Sequence, residues 1–254
     1  MKWFPLGRKR RCPEQPAIPS GIRVYAIGDV HGRLDLLVAL LARVERDDAS
    51  RPAADTRVVM LGDLIDRGPH SAEVIEFLLK ARPSFASFHF LMGNHEQAML
   101  ESLASEADPR STGWLRFGGM ETLESYDVPE QAFGCSGRLF SDELRRYVPA
   151  AHLAFMREFE DKLLIGDYLF VHAGIRPGVS IEKQSMEDKL WIRDDFLEDP
   201  SDHGFVVVHG HTVHPEPDFR ENRIGIDTGA YRTGVLTALA LEGNERRIIA
   251  VGAP

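Results

Sequence analysis

Short apolar runs alternate with amphipathic stretches over the first hundred residues. Residues 22–27, 57–61 and 85–92 are β-rich runs of strand length. Between the first two, Leu34, Leu37, Val38, Leu41 and Val44 recur at helical spacing; Val74, Ile75, Leu78 and Leu79 do so between the second and third. The pattern predicts helices over residues 34–44, 71–80 and 95–103. It therefore predicts a β-α-β-α-β unit with parallel strands and right-handed crossovers. Residues 104–160 read differently. They are helix-rich, broken at Gly118-Gly119 and Pro149, and predict an inserted helical cap over about 101–160. Strands resume at 162–165, 168–172, 205–209, 223–226, 235–241 and 246–251, with residues 190–193 in or beside a helix. The late strands lack evident helices between them, which favours antiparallel pairing. The expected fold is α/β: a mixed two-sheet β-sandwich core flanked by helices.

Three polar clusters sit where strand gives way to helix: Gly28-Asp29-Val30-His31-Gly32, Gly62-Asp63-Leu64-Ile65-Asp66-Arg67-Gly68 and Gly93-Asn94-His95-Glu96. In open α/β sheets such strand ends border the ligand crevice. Asp29 and His31, two apart at a strand end, can aim at one point. Asp63 can bridge two cations through its two oxygens, and Asn94 offers an amide oxygen. His172 and His211 follow later β-rich runs. Carboxylate oxygens suit hard divalent ions, and imidazole suits Mn, Fe and Zn. Any one cluster has a plainer explanation: a Gly-Asp turn, a packed histidine, or Asn94 as a helix N-cap. Five in order, all after strands, point to a metal site. His209 can line that site or point away from it if its strand continues; His70, His89, His152, His203 and His214 read as structural or surface residues.

The blocks GDVHG (28–32), GDLIDRG (62–68), GNHE (93–96), HAG (172–174) and GHT (210–212) together resemble the calcineurin-like metallophosphoesterases, and within them the phosphoprotein phosphatase family. The resemblance implies that fold, with the metal-binding unit at its centre. It implies Asp29, His31 and Asp63 as ligands of one divalent metal and Asp63, Asn94, His172 and His211 as ligands of a second, Mn first, with Fe or Zn as alternatives. It implies His95 as proton donor to the leaving oxygen, Asp66 as its partner and Arg67 on the phosphate, with Asn94 beside it. Arg193, in Trp191-Ile192-Arg193, resembles a phosphate-gripping arginine of bacterial members. The implied reaction is phosphomonoester hydrolysis by a metal-bridging hydroxide.

Ile226-Asp227-Thr228-Gly229-Ala230 stands where eukaryotic members carry Ser-Ala-Pro-Asn-Tyr-Cys, and Gly118-Gly119 precedes Thr122-Leu123 in the cap. Both resemble the bacterial branch, which holds serine/threonine protein phosphatases and symmetrical diadenosine tetraphosphate hydrolases. The first expectation is a serine/threonine phosphatase acting on a phosphorylated protein or small phosphoester. A symmetrical dinucleoside tetraphosphate hydrolase is the alternative, and a non-catalytic metal-binding scaffold the alternative of another class. The cap arginines Arg110, Arg116, Arg138, Arg145, Arg146 and Arg157 are candidates to hold a longer polyphosphate.

Charge narrows the partners. The chain carries −9 overall. Residues 1–20 hold Lys2, Arg8, Lys9, Arg10 and Arg11 against Glu14, a net +4, leaving −13 on the remainder. An acidic body argues against nucleic acid as a partner. Four prolines in residues 1–20 predict a basic tail or linker before a domain over 21–254. No apolar run reaches the roughly 20 residues of a membrane span. Cys12 and Cys135, the two cysteines, are expected as free thiols in a reducing cytoplasm.

Overall fold

The computed structural model describes residues 11–80, 82, 84–104, 113–133 and 138–252. Cys135, Arg110 and the basic stretch 1–10 lie outside these, as does the Arg138 side chain. The first half is built as the periodicity predicts: β1 (Ile22–Ile27), α1 (Leu34–Ala49), β2 (Asp55–Met60), α2 (Ser71–Lys80), β3 (Ser87–Phe90) and α3 (Asn94–Ala104). β1–β2 and β2–β3 pair in parallel. On α1 the buried stripe is Leu36, Leu37, Leu40, Leu41 and Val44, and Val38 is exposed.

The described part of the cap is helical. It comprises a wide turn, Leu115–Gly119, then α4 (Met120–Ser125), α5 (Glu130–Phe133), α6 (Arg138–Tyr147) and α7 (Ala150–Arg157). The second half supplies β4 (Leu163–Ile165), β5 (Tyr168–Phe170), α8 (Met186–Trp191), α9 (Asp194–Leu197), β6 (Val206–His209), β7 (Asp218–Phe219), β8 (Arg223–Gly225), α10 (Ala230–Thr233), β9 (Leu236–Glu242) and β10 (Glu245–Val251). Two five-stranded mixed sheets result, ordered β10-β9-β1-β2-β3 and β4-β5-β6-β8-β7.

Strand alternation explains why these runs are apolar throughout. Val24 and Ala26 of β1 face the second sheet and pack with Val206, Val208, Ile224 and Leu239. Tyr25 and Ile27, on the opposite face, join Leu37, Leu40, Val74 and Leu78 under the helices. A strand covered on both faces gains from apolar residues at every position. β6 behaves likewise: Val207 packs outward with Ile192 and Phe196.

Two expectations need correction. The late strands are not uniformly antiparallel, because β5–β6 and β6–β8 run parallel. The β5–β6 crossover carries α8 and α9, each too short to display several turns of helical periodicity, and the two-residue β7 was also invisible. Residues 11–20, read as linker, are fixed to the body. Ile18 is buried between the sheets, and its N–H donates to the Gly243 carbonyl (2.7 Å). The Ala17 N–H donates to Asp167 (3.1 Å) and the Tyr168 hydroxyl to the Pro16 carbonyl (3.2 Å). Among the described residues no helix is long and apolar enough to cross a membrane.

Candidate active site

The carboxyl ends of β1, β2, β3, β5 and β6 lie together, so the five motif loops meet. Backbone bonds lock them. The Val30 and His31 N–H groups donate to the Asp63 carbonyl (3.1 and 2.9 Å), and the Gly210 N–H donates to the His172 carbonyl (2.8 Å). A side chain on Gly68 would collide with the His31 carbonyl, which is how closely the first two loops touch. His31, Asp63, Asp66, Arg67 and His211 are five of the six non-glycine residues with positive φ among those described. Strained backbone of this kind gathers at functional sites, where the surroundings over-determine it.

Asp63 is the hub. Its Oδ2 lies 3.7 Å from His31 Nε2 and 3.8 Å from His95 Nε2, and its Oδ1 lies 3.4 Å from His172 Nε2. Two overlapping groups, His31–Asp63–His95 and Asp63–His172–His211, each place their ligand atoms within 4.8 Å of one another. Burial opposes the Asp63 charge, but the surrounding histidines, His172 foremost, hold its pKa well below the usual carboxylate range. Burial pushes the His31 pKa down to about 3 and that of His211 to about 2, so both imidazoles are neutral ligands at ordinary pH.

The donor chemistry fits cations. His31 Nδ1 and His172 Nδ1 each donate to a backbone carbonyl, Ile65 and Leu61 (both 2.8 Å). That fixes the tautomer and turns an unprotonated Nε2 into the site. His172 Nε2 then faces the Asn94 amide oxygen at 2.9 Å, acceptor against acceptor. His211 Nδ1 approaches the same oxygen at 2.9 Å, while its Nε2 is buried without a partner. A shared cation would satisfy such a set. Asp29, buried beside the cluster, accepts from the His211 backbone N–H through both oxygens (3.2 and 3.0 Å).

His95 sits on the rim of the cluster. Its Nδ1 donates to Asp66 Oδ2 (2.6 Å), which also accepts from Trp114 Nε1 (2.8 Å), while the Thr122 hydroxyl donates to Asp66 Oδ1 (2.6 Å). Burial lowers the His95 pKa, but Asp63 and the Asp66 bond outweigh it and raise it. Arg67 spans the rim, with Nη1 2.9 Å from His31 Nε2 and Nη2 2.9 Å from His95 Nε2. Its guanidinium lies 4.9 Å from the centre of the Tyr231 ring. Arg193 immediately precedes α9, and its charge bears on His172 and His211. His209 turns away: its ring packs edge-on against Phe196 and its Nδ1 meets the Gly210 carbonyl. Arg145 and Arg146 are engaged within the cap by the Leu103 carbonyl, Asp142 and Glu143.

Sequence reasoning gave Glu96, Asp227, Trp114, Thr122 and Tyr231 no role. Asp227 is buried, with Oδ2 unpartnered, and burial raises its pKa to about 6. Glu96 is the clearest omission, although it stood inside a recognised block. Its two oxygens accept from the backbone N–H groups of Asp63 (2.9 Å), Gly93 (3.1 Å), Leu64 (2.7 Å) and Ile65 (3.2 Å). It thereby shapes the loop that aims Asp63. Glu96→Ala orphans these buried donors, each worth about 1–3 kcal/mol. A loss of about 4 kcal/mol, the lower end of that sum, lowers Tm by roughly 8–16 °C in a chain of this size. Glu96→Gln, which keeps one acceptor oxygen, falls between. Thermal melts by circular dichroism check this, and an unchanged Tm for Glu96→Ala would refute the clamp.

The profile of the calcineurin-like phosphoesterase family matches residues 22–236. The chain belongs to that family. This calcineurin-like phosphoesterase is 32% identical over 179 residues to a symmetrical bis(5'-nucleosyl)-tetraphosphatase of Pseudomonas fluorescens, covering 69% of the chain and 51% of the relative. It is 27% identical over 246 residues to an asymmetrical bis(5'-nucleosyl)-tetraphosphatase of Bacillus velezensis, covering 86% and 89%. The chain spans about half the length of the symmetrical relative. A crystal structure provisionally described as a diadenosine tetraphosphatase superposes with a TM-score of 0.62 at 18% identity, covering 93% of the chain and 99% of that structure. At that identity the likeness speaks for the fold.

Proposed function

We propose that the protein is a metal-dependent phosphoester hydrolase that splits dinucleoside tetraphosphates symmetrically, releasing two nucleoside diphosphates. The 32% identity to a symmetrical tetraphosphatase over 69% of the chain carries the substrate assignment. The buried donor set around Asp63, which could hold divalent cations, supports the chemistry. Phosphoprotein hydrolysis, the first expectation from the motifs, becomes the competing arm of the test, because the relatives above are named for nucleotides.

Asp29, His31 and Asp63 would hold one divalent ion, and Asp63, Asn94, His172 and His211 the other. Such ions, when bound, supply Lewis acidity and generate a nucleophile from water at neutral pH. The protein's own groups do the rest. Arg67, with Arg193 across the site, grips the non-bridging phosphate oxygens; Arg does this bidentately. Arg67 moving onto phosphate releases His95 Nε2. Held by Asp66 and favoured in its charged form by Asp63, His95 can then protonate the leaving phosphate oxygen. Burial keeps bulk water from screening these charges.

With Mn²⁺, the protein is expected to convert diadenosine tetraphosphate to ADP alone, and a chelator to abolish turnover, as read by ion-exchange chromatography. AMP with ATP would overturn the symmetrical assignment. A higher kcat/KM on a serine phosphopeptide would overturn the substrate class.

A further inference from the structure

A cavity of about 240 Å³ lies between the cap and α8, with Trp114, Phe117 and Trp191 in its walls. Three links tie it to the chemistry. Trp114, in its wall, donates to Asp66. Trp191, opposite, places its ring 6.4 Å from that of His211. Phe117, the third aromatic, accepts from Arg67 Nε through its backbone carbonyl (3.4 Å). The organic part of a substrate whose phosphates lie on Arg67 and the metal ligands therefore has this cavity beside it.

The lining is unusual for a water-facing surface. Phe117 is 58% exposed and Trp191 38% exposed, two large rings left open where solvent would favour covering them. Trp191 is fixed by its Nε1 donating to Gln97 Oε1 (3.0 Å). The rim is acidic, with Glu187 on α8 and Glu101 on α3. The volume lies below the roughly 300–1,000 Å³ typical of drug-sized sites, which suits one planar ring system better than a peptide segment. Aromatic faces stack on any base. A carboxylate acceptor at the edge rewards a base that carries an exocyclic amine.

We propose that this cavity is a nucleobase pocket. The base of the bound nucleotide stacks on Phe117 and Trp191, and its exocyclic amine donates to Glu187. Adenine meets these demands and hypoxanthine does not, so the pocket selects amino-bearing bases. This rests on the dinucleotide reading above and extends it from reaction to base selectivity.

The test uses the full-length, Mn²⁺-loaded protein. Loss of one stacking ring is expected to raise the KM of Phe117→Ala for diadenosine tetraphosphate about tenfold. Its kcat should stay within about twofold, as for a lost uniform-binding contact. Glu187→Gln should erase the preference for diadenosine over diinosine tetraphosphate. Inhibition by inorganic phosphate should be unchanged in both variants, which shows that the phosphate site survives. ADP should quench tryptophan fluorescence in the parent and quench it less in Trp191→Phe, which leaves only Trp114 in the cavity wall. If the parent splits diadenosine tetraphosphate while Phe117→Ala and Trp191→Ala keep its KM, the pocket is refuted and the function stands. If the parent ignores the dinucleotide but ADP still quenches Trp191, the function is refuted and the pocket stands. Equal use of diinosine tetraphosphate by the parent would refute the base selectivity.

Discussion

Asp63→Asn should leave the protein unable to hold two divalent ions and lower kcat on the order of 10²–10³-fold. Both Asp63 oxygens face imidazole nitrogens, Oδ1 toward His172 and Oδ2 toward His31 and His95. Among the described residues no other carboxylate belongs to both potential ligand groups. An amide keeps the size but gives up the charge and one oxygen acceptor. A metal centre contributes several kcal/mol of transition-state stabilisation, and about 1.4 kcal/mol is a tenfold change in rate. The Oδ1 bond to the His95 backbone N–H (3.1 Å) can survive with an amide oxygen, so the fold should persist. Metal content by plasma mass spectrometry, beside turnover, checks this. Two ions per chain in Asp63→Asn would refute the proposed bridging role of Asp63.

His95→Asn should give the second largest loss and a different signature. Metal content should stay at the parent level, while kcat falls about 10²–10⁴-fold, the range for a positioned general acid. The structure motivates the split, since His95 Nδ1 is committed to Asp66 and the imidazole stands at the rim beside Arg67. A proton donor loses effect as pH rises through its pKa. Asp63 and Asp66 raise the His95 pKa against burial, so the parent should show activity falling on the alkaline side, and His95→Asn should lack that limb. The pH profiles of kcat, with metal analysis in parallel, test both statements. Equal metal loss in His95→Asn and Asp63→Asn would refute the separate role.

The local rules reached far because the site hangs on regular elements. Asp29, His31, Asp63, Asn94 and His95 follow from three strand-to-helix turns, and the alternation of β1 and β2 marks both cores. Glu96 escaped notice for a physical reason: its partners are backbone N–H groups up to 33 residues away, and backbone donors leave no mark in a sequence. The triad of Trp114, Thr122 and Ser71 around Asp66 is hidden for a related reason, since it draws on α2 and two separate parts of the cap. The anchoring of Ile18 was obscured by neighbouring prolines, which describe the local chain and not the groove that receives it.

Residue type and order were enough to set the strand–helix rhythm and the chemical character of the metal donors, because both depend on spacing of a few residues. Distance in the chain hid everything else. The parallel β5–β6–β8 run, the turn of His209 away from the cluster, the positive-φ backbone that aims Asp63 and His211, and the meeting of Phe117 with Trp191 all need segments separated by tens of residues to be brought into contact. Packing of the two sheets and the cap makes those choices, since only there do burial and unsatisfied hydrogen bonds decide between alternatives that look equal locally.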